Sequence, residues 1–246
     1  MRRIILLTAV LLAAAACGSK TERVGFRDEL TGNEVWQLSQ KDSALMAYFE
    51  VQAFTYDDSY CVFKSNRDGQ WKLYASAIKD GRVTKLSDRV VNGTYSIYST
   101  GDEVVFADGK IIYAVNVATH RERVLFDAPM LIPEPSISIN ALFTEDGDYT
   151  AITARDNDSS YIYRLRISTG EAHKVYSSKE GFSHPMINPM HPELITLVPK
   201  PDKRAQYDLP KEERARGLLL NVDEGSVKPF VMSEKYYRAT HETWTK

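Results

Sequence analysis

The chain has 246 residues, with 31 Lys or Arg, 33 Asp or Glu and a formal net charge of −2. This length is enough for one or two globular domains. The near balance of charges argues against a nucleic-acid-binding protein, which would present a basic face.

The first predicted element is a secretory signal, "MRRIILLTAVLLAAAAC". Two arginines precede an apolar run, Ile4 to Ala16, which is too short to span a bilayer comfortably and ends in small residues before Cys17. The pattern predicts a bacterial lipoprotein in which residues 1–16 are removed and Cys17 is acylated. The alternative is a plain signal peptide with an incidental cysteine.

The residues that follow Cys17 favour anchoring in the outer membrane, because Gly18 and Ser19 replace the aspartate of an inner-membrane retention signal. The mature chain then has 29 basic and 33 acidic residues, a net charge of −4. Acylation of Cys17 leaves Cys61 as the only thiol, so no disulfide is expected. Residues 17–30 are interpreted as a lipidated linker.

The rest of the chain, residues 31–246, contains internal repeats. Residues 53–88 and 141–177 share one order of strands and turns, in which "TYDDSY" matches "TEDGDY". A shorter copy covers residues 96–126 and a looser one follows to residue 232. Each unit has three or four short alternating strands with Asp-Gly-type turns, and Gly81, Thr119, Gly170 and Gly225 align at one of these turns. This pattern predicts an all-β fold, a β-propeller of four-stranded antiparallel blades, with helix confined to the leader.

The predicted ring is incomplete. "TGNEVWQLS", residues 31–39, resembles the outermost strand of a blade without earlier strands, as in propellers whose N-terminal strand completes the last blade. "HETWTK", residues 241–246, lies where a fifth blade should begin. The chain is therefore interpreted as C-terminally truncated, because an open ring leaves strand edges unpaired. A complete four-bladed ring with "HETWTK" as a frayed tail is the alternative.

Two of the five histidines lie at matching positions one blade apart. His184, in "EGFSHPMINP", lies between one blade and the first strand of the next, where the connection reaches the mouth of the central channel. His241 has the same place one blade later, so the two are candidates to converge near the axis; a structural role is the alternative for each. His120, His173 and His191 lie in outer strands or turns and are expected to be solvated. The charged insertion at residues 200–216 is either a solvated loop or a flap over the mouth.

The quoted phrases resemble a known family. "TGNEVWQLS", "YFEVQAFTYDD", "DGQWKLYASAI", "STGEAHKVY", "SHPMINP", "LLLNVDEG" and "THETW" occur in the order seen in the oligogalacturonate lyases, and "SHP" and "THETW" are the more specific of them. The resemblance implies a seven-bladed propeller that cleaves short pectin fragments by β-elimination with a divalent metal, usually manganese. It implies that His184 is the proton-abstracting base and His241 the first metal ligand. The remaining ligands, in a Gln-x-x-His-x-His phrase, lie further along in the family and are absent from this sequence.

The implied chemistry is physically coherent. Elimination across C4–C5 of a uronate removes a proton α to a carboxylate, on which a second negative charge then develops. A divalent ion on the carboxylate offsets that charge as a Lewis acid. A neutral histidine is a suitable base near neutral pH. Imidazole binds Mn, Fe, Co, Ni or Zn, and a single histidine ligand does not determine which of these metals is bound.

The sequence also departs from the family pattern. "LVPKPD" replaces a "HEGP"-like phrase, and the family's arginine on the strand before the base has no clear counterpart. Arg164 and Arg166 lie near that position, but the register favours neither, and Tyr161 is a third candidate. Two hypotheses therefore stand. One is a lipid-anchored, metal-dependent lyase of acidic oligosaccharides, and the other is a non-catalytic propeller lipoprotein that binds oligosaccharides or partner proteins.

Overall fold

The computed structural model describes residues 21–40, 43–48, 51–98, 102–127, 136–200, 210, 215–232 and 243–244. Within these ranges the chain forms eighteen β-strands and no helix. None of the described residues belongs to a helix that is long and apolar enough to cross a membrane. The predicted signal segment, Cys17 and His241 lie outside the described residues.

Sixteen of the strands form four antiparallel sheets of four strands each, which we call blades I to IV in chain order. Blade I comprises β3 to β6, at Ala44–Met46, Tyr60–Ser65, Lys72–Ala77 and Val83–Lys85. Blade II comprises β7 to β10, at Asn92–Ile97, Glu103–Asp108, Ile111–Asn116 and Glu122–Asp127. Blade III comprises β11 to β14, at Ser136–Phe143, Tyr149–Arg155, Ser160–Arg166 and Ala172–Ser178. Blade IV comprises β15 to β18, at Phe182–Ile187, Leu194–Pro199, Ala215–Asn221 and Ser226–Met232. This architecture confirms the predicted all-β propeller with four blades.

The turn before the second strand explains why "TYDDSY" and "TEDGDY" match. In blade I the Thr55 hydroxyl donates to Asp57 Oδ1 at 2.8 Å, and the Ser59 hydroxyl donates to Asp57 Oδ2 at 2.6 Å. In blade III the Thr144 hydroxyl donates to Asp146 Oδ1 at 2.6 Å. The Ser59 and Thr55 donors lower the pKa of Asp57 to about 2. The same threonine–aspartate pair therefore closes both turns.

The turn between the third and fourth strands corrects one detail of the predicted alignment. Its left-handed position is held by Gly81, Gly170 and Gly225 in blades I, III and IV, but by His120 rather than Thr119 in blade II. The His120 amide donates to Asn116 O at 2.8 Å, as the Gly170 amide donates to Arg166 O. His120 has φ 57°, a conformation that histidine tolerates better than β-branched threonine.

A separate hairpin precedes blade I. It consists of β1 (Val24–Arg27) and β2 (Glu34–Gln37), and its turn repeats that of a third and fourth strand. The Gly32 amide donates to Asp28 O at 2.9 Å, in the same pattern as Gly170 and Arg166. The hairpin therefore has the geometry of the outer half of a blade. It includes the strand predicted at residues 31–39 and starts within the segment interpreted as a linker.

The segment before the hairpin docks on the face of blade I that points away from blade II. Glu22 is 8% exposed and accepts hydrogen bonds from Arg67, Ser39 and the Gln40 amide. The Arg67 guanidinium also lies over the Tyr74 ring, 4.7 Å from its centroid. Burial opposes ionisation of Glu22, but the hydrogen bonds from Arg67 and Gln40 outweigh that effect and hold the pKa of the carboxyl below its usual value.

The hydrophobic core lies between blades. One cluster joins blades I and II, a second joins II and III, and a third joins III and IV. Their buried residues include Val62, Leu73, Tyr95 and Phe106 in the first, Val105, Ile112, Ile152 and Leu165 in the second, and Ala151, Ile162, Ile187 and Leu197 in the third. The alternation along each middle strand thus sends successive side chains to opposite neighbours.

Candidate functional site

The inner strands of the four blades, β3, β7, β11 and β15, all begin at one end of the stack, which we call the mouth. Each inner strand starts opposite the end of its own second strand, as the pairs Ala44–Ser65 and Phe182–Pro199 show. The connections between blades therefore reach the mouth, as predicted. His184 is the third residue of β15 and lies close to this end.

His184 occupies an unusual backbone conformation. Its φ is 48°, in the left-handed region that favours glycine. The register of β15 shifts between Ser183 and Met186, so His184 sits in a β-bulge. The inner strand of blade II shifts register over the corresponding step, Asn92 to Tyr95, and there the left-handed residue is Gly93, with φ 74°. His184 thus occupies a backbone position that glycine adopts without strain in blade II. β-Bulges are over-represented next to active sites, where they change the direction of a side chain.

The imidazole of His184 meets an aromatic ring from a distant blade. Tyr48, which follows β3 in blade I, stacks with His184 at a centroid separation of 6.4 Å and an interplanar angle of 29°. Tyr48 is exposed and His184 is half-buried. Blades I and IV are not neighbours in the stack, so this contact crosses the channel. Sequence reasoning missed Tyr48, because nothing in its local pattern indicates which residue faces it.

The segment that contains His241 is described only at residues 243 and 244. The Trp244 indole donates a hydrogen bond to Met186 O of β15 at 3.3 Å. Trp244 therefore lies beside the inner strand that carries His184. The position of His241 itself stays a prediction.

The three candidates for the arginine position are all engaged elsewhere. Arg164 contacts Asp223 Oδ1 at 3.1 Å and Arg166 contacts Asp148 Oδ2 at 2.7 Å. Both partners lie in turns at the end of the blades opposite the mouth. Tyr161 donates to Asp156 Oδ2 at 2.7 Å within its own blade, a bond that raises the pKa of Tyr161. None of the three lies on an inner strand.

The other described histidines are exposed, as predicted. His120 occupies the outer turn of blade II, and His173 lies on the outer strand of blade III. His191 is near Glu193, with 3.3 Å between Nδ1 and Oε1. In the part of the chain that the structure describes, no three His, Cys, Asp or Glu residues form a group able to hold a metal ion. These residues therefore do not make up a metal site by themselves.

Comparison with known proteins gives a consistent result. The chain is 20% identical over 239 residues to oligogalacturonate lyase from Dickeya dadantii, which covers 89% of this chain and 60% of that protein. A solved structure of an oligogalacturonate lyase in complex with manganese matches with a TM-score of 0.68 and 19% identity, over 85% of this chain and 59% of the other. The oligogalacturonate lyase of Vibrio parahaemolyticus gives the same TM-score at 17% identity, over 85% of this chain and 59% of that one.

A more distant match is TolB from Acinetobacter baumannii, with a TM-score of 0.55 and 16% identity, over 87% of this chain and 50% of the other. No family model matches the chain. The chain spans about three fifths of the length of the lyases that it matches. The resemblance predicted from the sequence is thus confirmed: the chain is oligogalacturonate lyase-like and has a β-propeller fold.

Proposed function

We propose that this protein is a lyase that cleaves oligogalacturonates or related uronate oligosaccharides by β-elimination, with His184 as the base. The observation that supports it best is the strained bulge at His184, near the mouth end of β15. Left-handed non-glycine residues cost about 1–3 kcal/mol, and such strain clusters at functional sites. The resemblance to the lyases supports the same role for the histidine of the "SHP" phrase.

In the proposed reaction a nitrogen of His184 takes the C5 proton of the uronate. The electrons of that C–H bond form the C4–C5 double bond, and the C4–O bond breaks. The leaving glycosidic oxygen takes up a proton and becomes a hydroxyl group. Tyr48, which faces the imidazole, supports its orientation from the opposite wall of the channel.

We include a divalent metal in the proposal, with manganese as the first candidate. Its support is the proposed ligand His241 and the manganese complex of the similar lyase. The described residues of this chain supply no complete ligand set. No step of the reaction above is therefore assigned to the metal. We also propose that acylated Cys17 anchors the protein in the outer membrane.

The alternative is a propeller lipoprotein that binds oligosaccharides or partner proteins without cleaving them. It is favoured by the engagement of Arg164 and Arg166 in turns away from the mouth, because the family's arginine then has no counterpart in the described part of the chain. The two functions share the site and differ only in whether a bond is broken.

The test uses the full-length protein and follows the absorbance of the unsaturated product. His184→Ala should lower the rate by roughly 10²–10⁴-fold, the contribution of a general base, and should leave bound metal unchanged. His241→Ala should lose metal and activity together. His173→Ala is the matched control, because it removes an exposed histidine on an outer strand and should change neither. Uronate binding without any unsaturated product from wild-type protein would replace the lyase with the binding protein.

A further inference from the structure

The mouth contains a cation with no acidic partner among the described residues. Lys64 is the fifth residue of β4 and pairs with Leu45 of the inner strand, three residues before Tyr48. Its ammonium group donates to Gly93 O at 2.5 Å and forms no described ion pair. Lys72 and Lys85 of the same blade, by contrast, both reach the carboxylate of Asp88.

Lys64 also occupies a place that the fold does not require to be charged. Its side chain lies on the same face of β4 as Val62 and points towards blade II, within the interface between the two blades. In blade II the residue that follows Phe106, as Lys64 follows Phe63, is Ala107, which is fully buried against blade III. A small apolar residue therefore satisfies the packing at this position.

Keeping a lysine there has an energetic cost. Partial burial of the ammonium group lowers the pKa of Lys64, because desolvation disfavours its charged form. A buried or half-buried cation is ordinarily retained with a counter-charge. The carbonyl of Gly93 accepts from one of the three N–H donors of Lys64, and no other hydrogen bond joins this ammonium group to the part of the chain that the structure describes.

The position of Gly93 connects this cation to the candidate site. Gly93 is the left-handed residue of the blade II bulge, and His184 is the left-handed residue of the blade IV bulge. Both bulges lie near the mouth end of their inner strands. Tyr48 brings blade I against His184 at the same end.

We propose that Lys64 binds a carboxylate group of an acidic sugar at the channel mouth, on the wall that blade I supplies facing His184. The inference rests on the proposed uronate specificity, but it does not require that the sugar is cleaved. A charge-assisted hydrogen bond at a partly desolvated site gives the ammonium group a preference for a carboxylate over a neutral ester.

The test measures equilibrium binding by titration calorimetry of the full-length protein. The two probes are trigalacturonate and its fully methyl-esterified form. Lys64→Met should weaken trigalacturonate binding by about tenfold to a hundredfold, the range for one hydrogen bond to a charged group, and leave the ester unchanged. Lys64→Arg should keep the preference for the acid. Lys79→Met is the matched control, because it removes an exposed charge from blade I at the end away from the mouth.

A second measurement covers the case in which Lys64→Met fails to fold. Reductive methylation of wild-type protein should be slowed at Lys64, and not at Lys79, by trigalacturonate but not by its ester. The proposal is overturned if Lys64→Met binds the acid as wild type does, if acid and ester binding fall together, or if trigalacturonate gives Lys64 no protection. Loss of acid binding in Lys64→Met without any lyase activity in wild-type protein would retain this inference and reject the lyase.

Discussion

The left-handed backbone conformation of His184, in the blade IV bulge, has a free-energy cost that can be measured directly. His184→Ala and His184→Gly both remove the imidazole and its contact with Tyr48, so their difference isolates the backbone. A left-handed conformation costs a non-glycine residue about 1–2 kcal/mol. Glycine loses about 0.5–1 kcal/mol more conformational entropy on folding. His184→Gly should therefore be more stable than His184→Ala by about 0.5–1 kcal/mol.

Blade II supplies the reciprocal control. Gly93 has φ 74° at the corresponding bulge, so Gly93→Ala should lose about the amount that His184→Gly gains over His184→Ala. Differential scanning calorimetry is the assay, and for a domain of this size each kcal/mol shifts the midpoint by about 2–4 °C. Equal stability of the two His184 variants, together with a normal cost at Gly93, would refute the claim that His184 holds backbone strain.

Three further outcomes are expected. Arg67→Met should cost about 3–5 kcal/mol in denaturant titration, because it removes the cationic partner of the buried Glu22 carboxylate. Burial opposes ionisation of Glu22, but its hydrogen bonds outweigh this effect, so the pKa of Glu22 in the folded protein lies below the ordinary 4.5. The stability that this pair contributes should be complete above pH 4.5 and should decrease as the pH falls through the folded pKa. A difference in stability between wild type and Arg67→Met that does not change with pH would contradict this prediction. Tyr95→Phe should cost about 1 kcal/mol by the same titration, since the buried Tyr95 hydroxyl donates to Val62 O at 2.9 Å, and no loss would mean that this link between blades is not stabilising. Cys17→Ser should release the protein from membranes in a fractionation experiment, and unchanged partitioning would reject the lipid anchor.

The repeated turns account for what the sequence could predict. Thr55 with Asp57, and Thr144 with Asp146, make contacts between residues two apart, so a local pattern is enough to identify them. The same holds for the alternation that defines the strands. The placement of His120 was missed by one residue, because the aligned copies have glycine at the left-handed position and blade II has none there.

The contacts that shape the candidate site are of another kind. Tyr48 and His184 meet because propeller blades are arranged radially, which brings residues of blades I and IV together across the channel. Outside the site, Glu22 and Arg67 meet in a similar way, because the N-terminal segment folds back over blade I. No periodicity in the sequence indicates that either pair of residues is in contact. The repeats therefore predict the blades but not which residues of different segments face each other.

The placement of the core between blades has a consequence for how such a chain can change. Because each cluster draws its residues from two neighbouring blades, the unit whose side chains must match is the junction between blades rather than the single sheet. Duplicating one blade supplies both of the faces that pack together at a new junction. Substitutions on only one of the two faces leave the side chains of the other face without matching neighbours. Substitutions should therefore be correlated across junctions and less constrained at exposed turn positions such as His120.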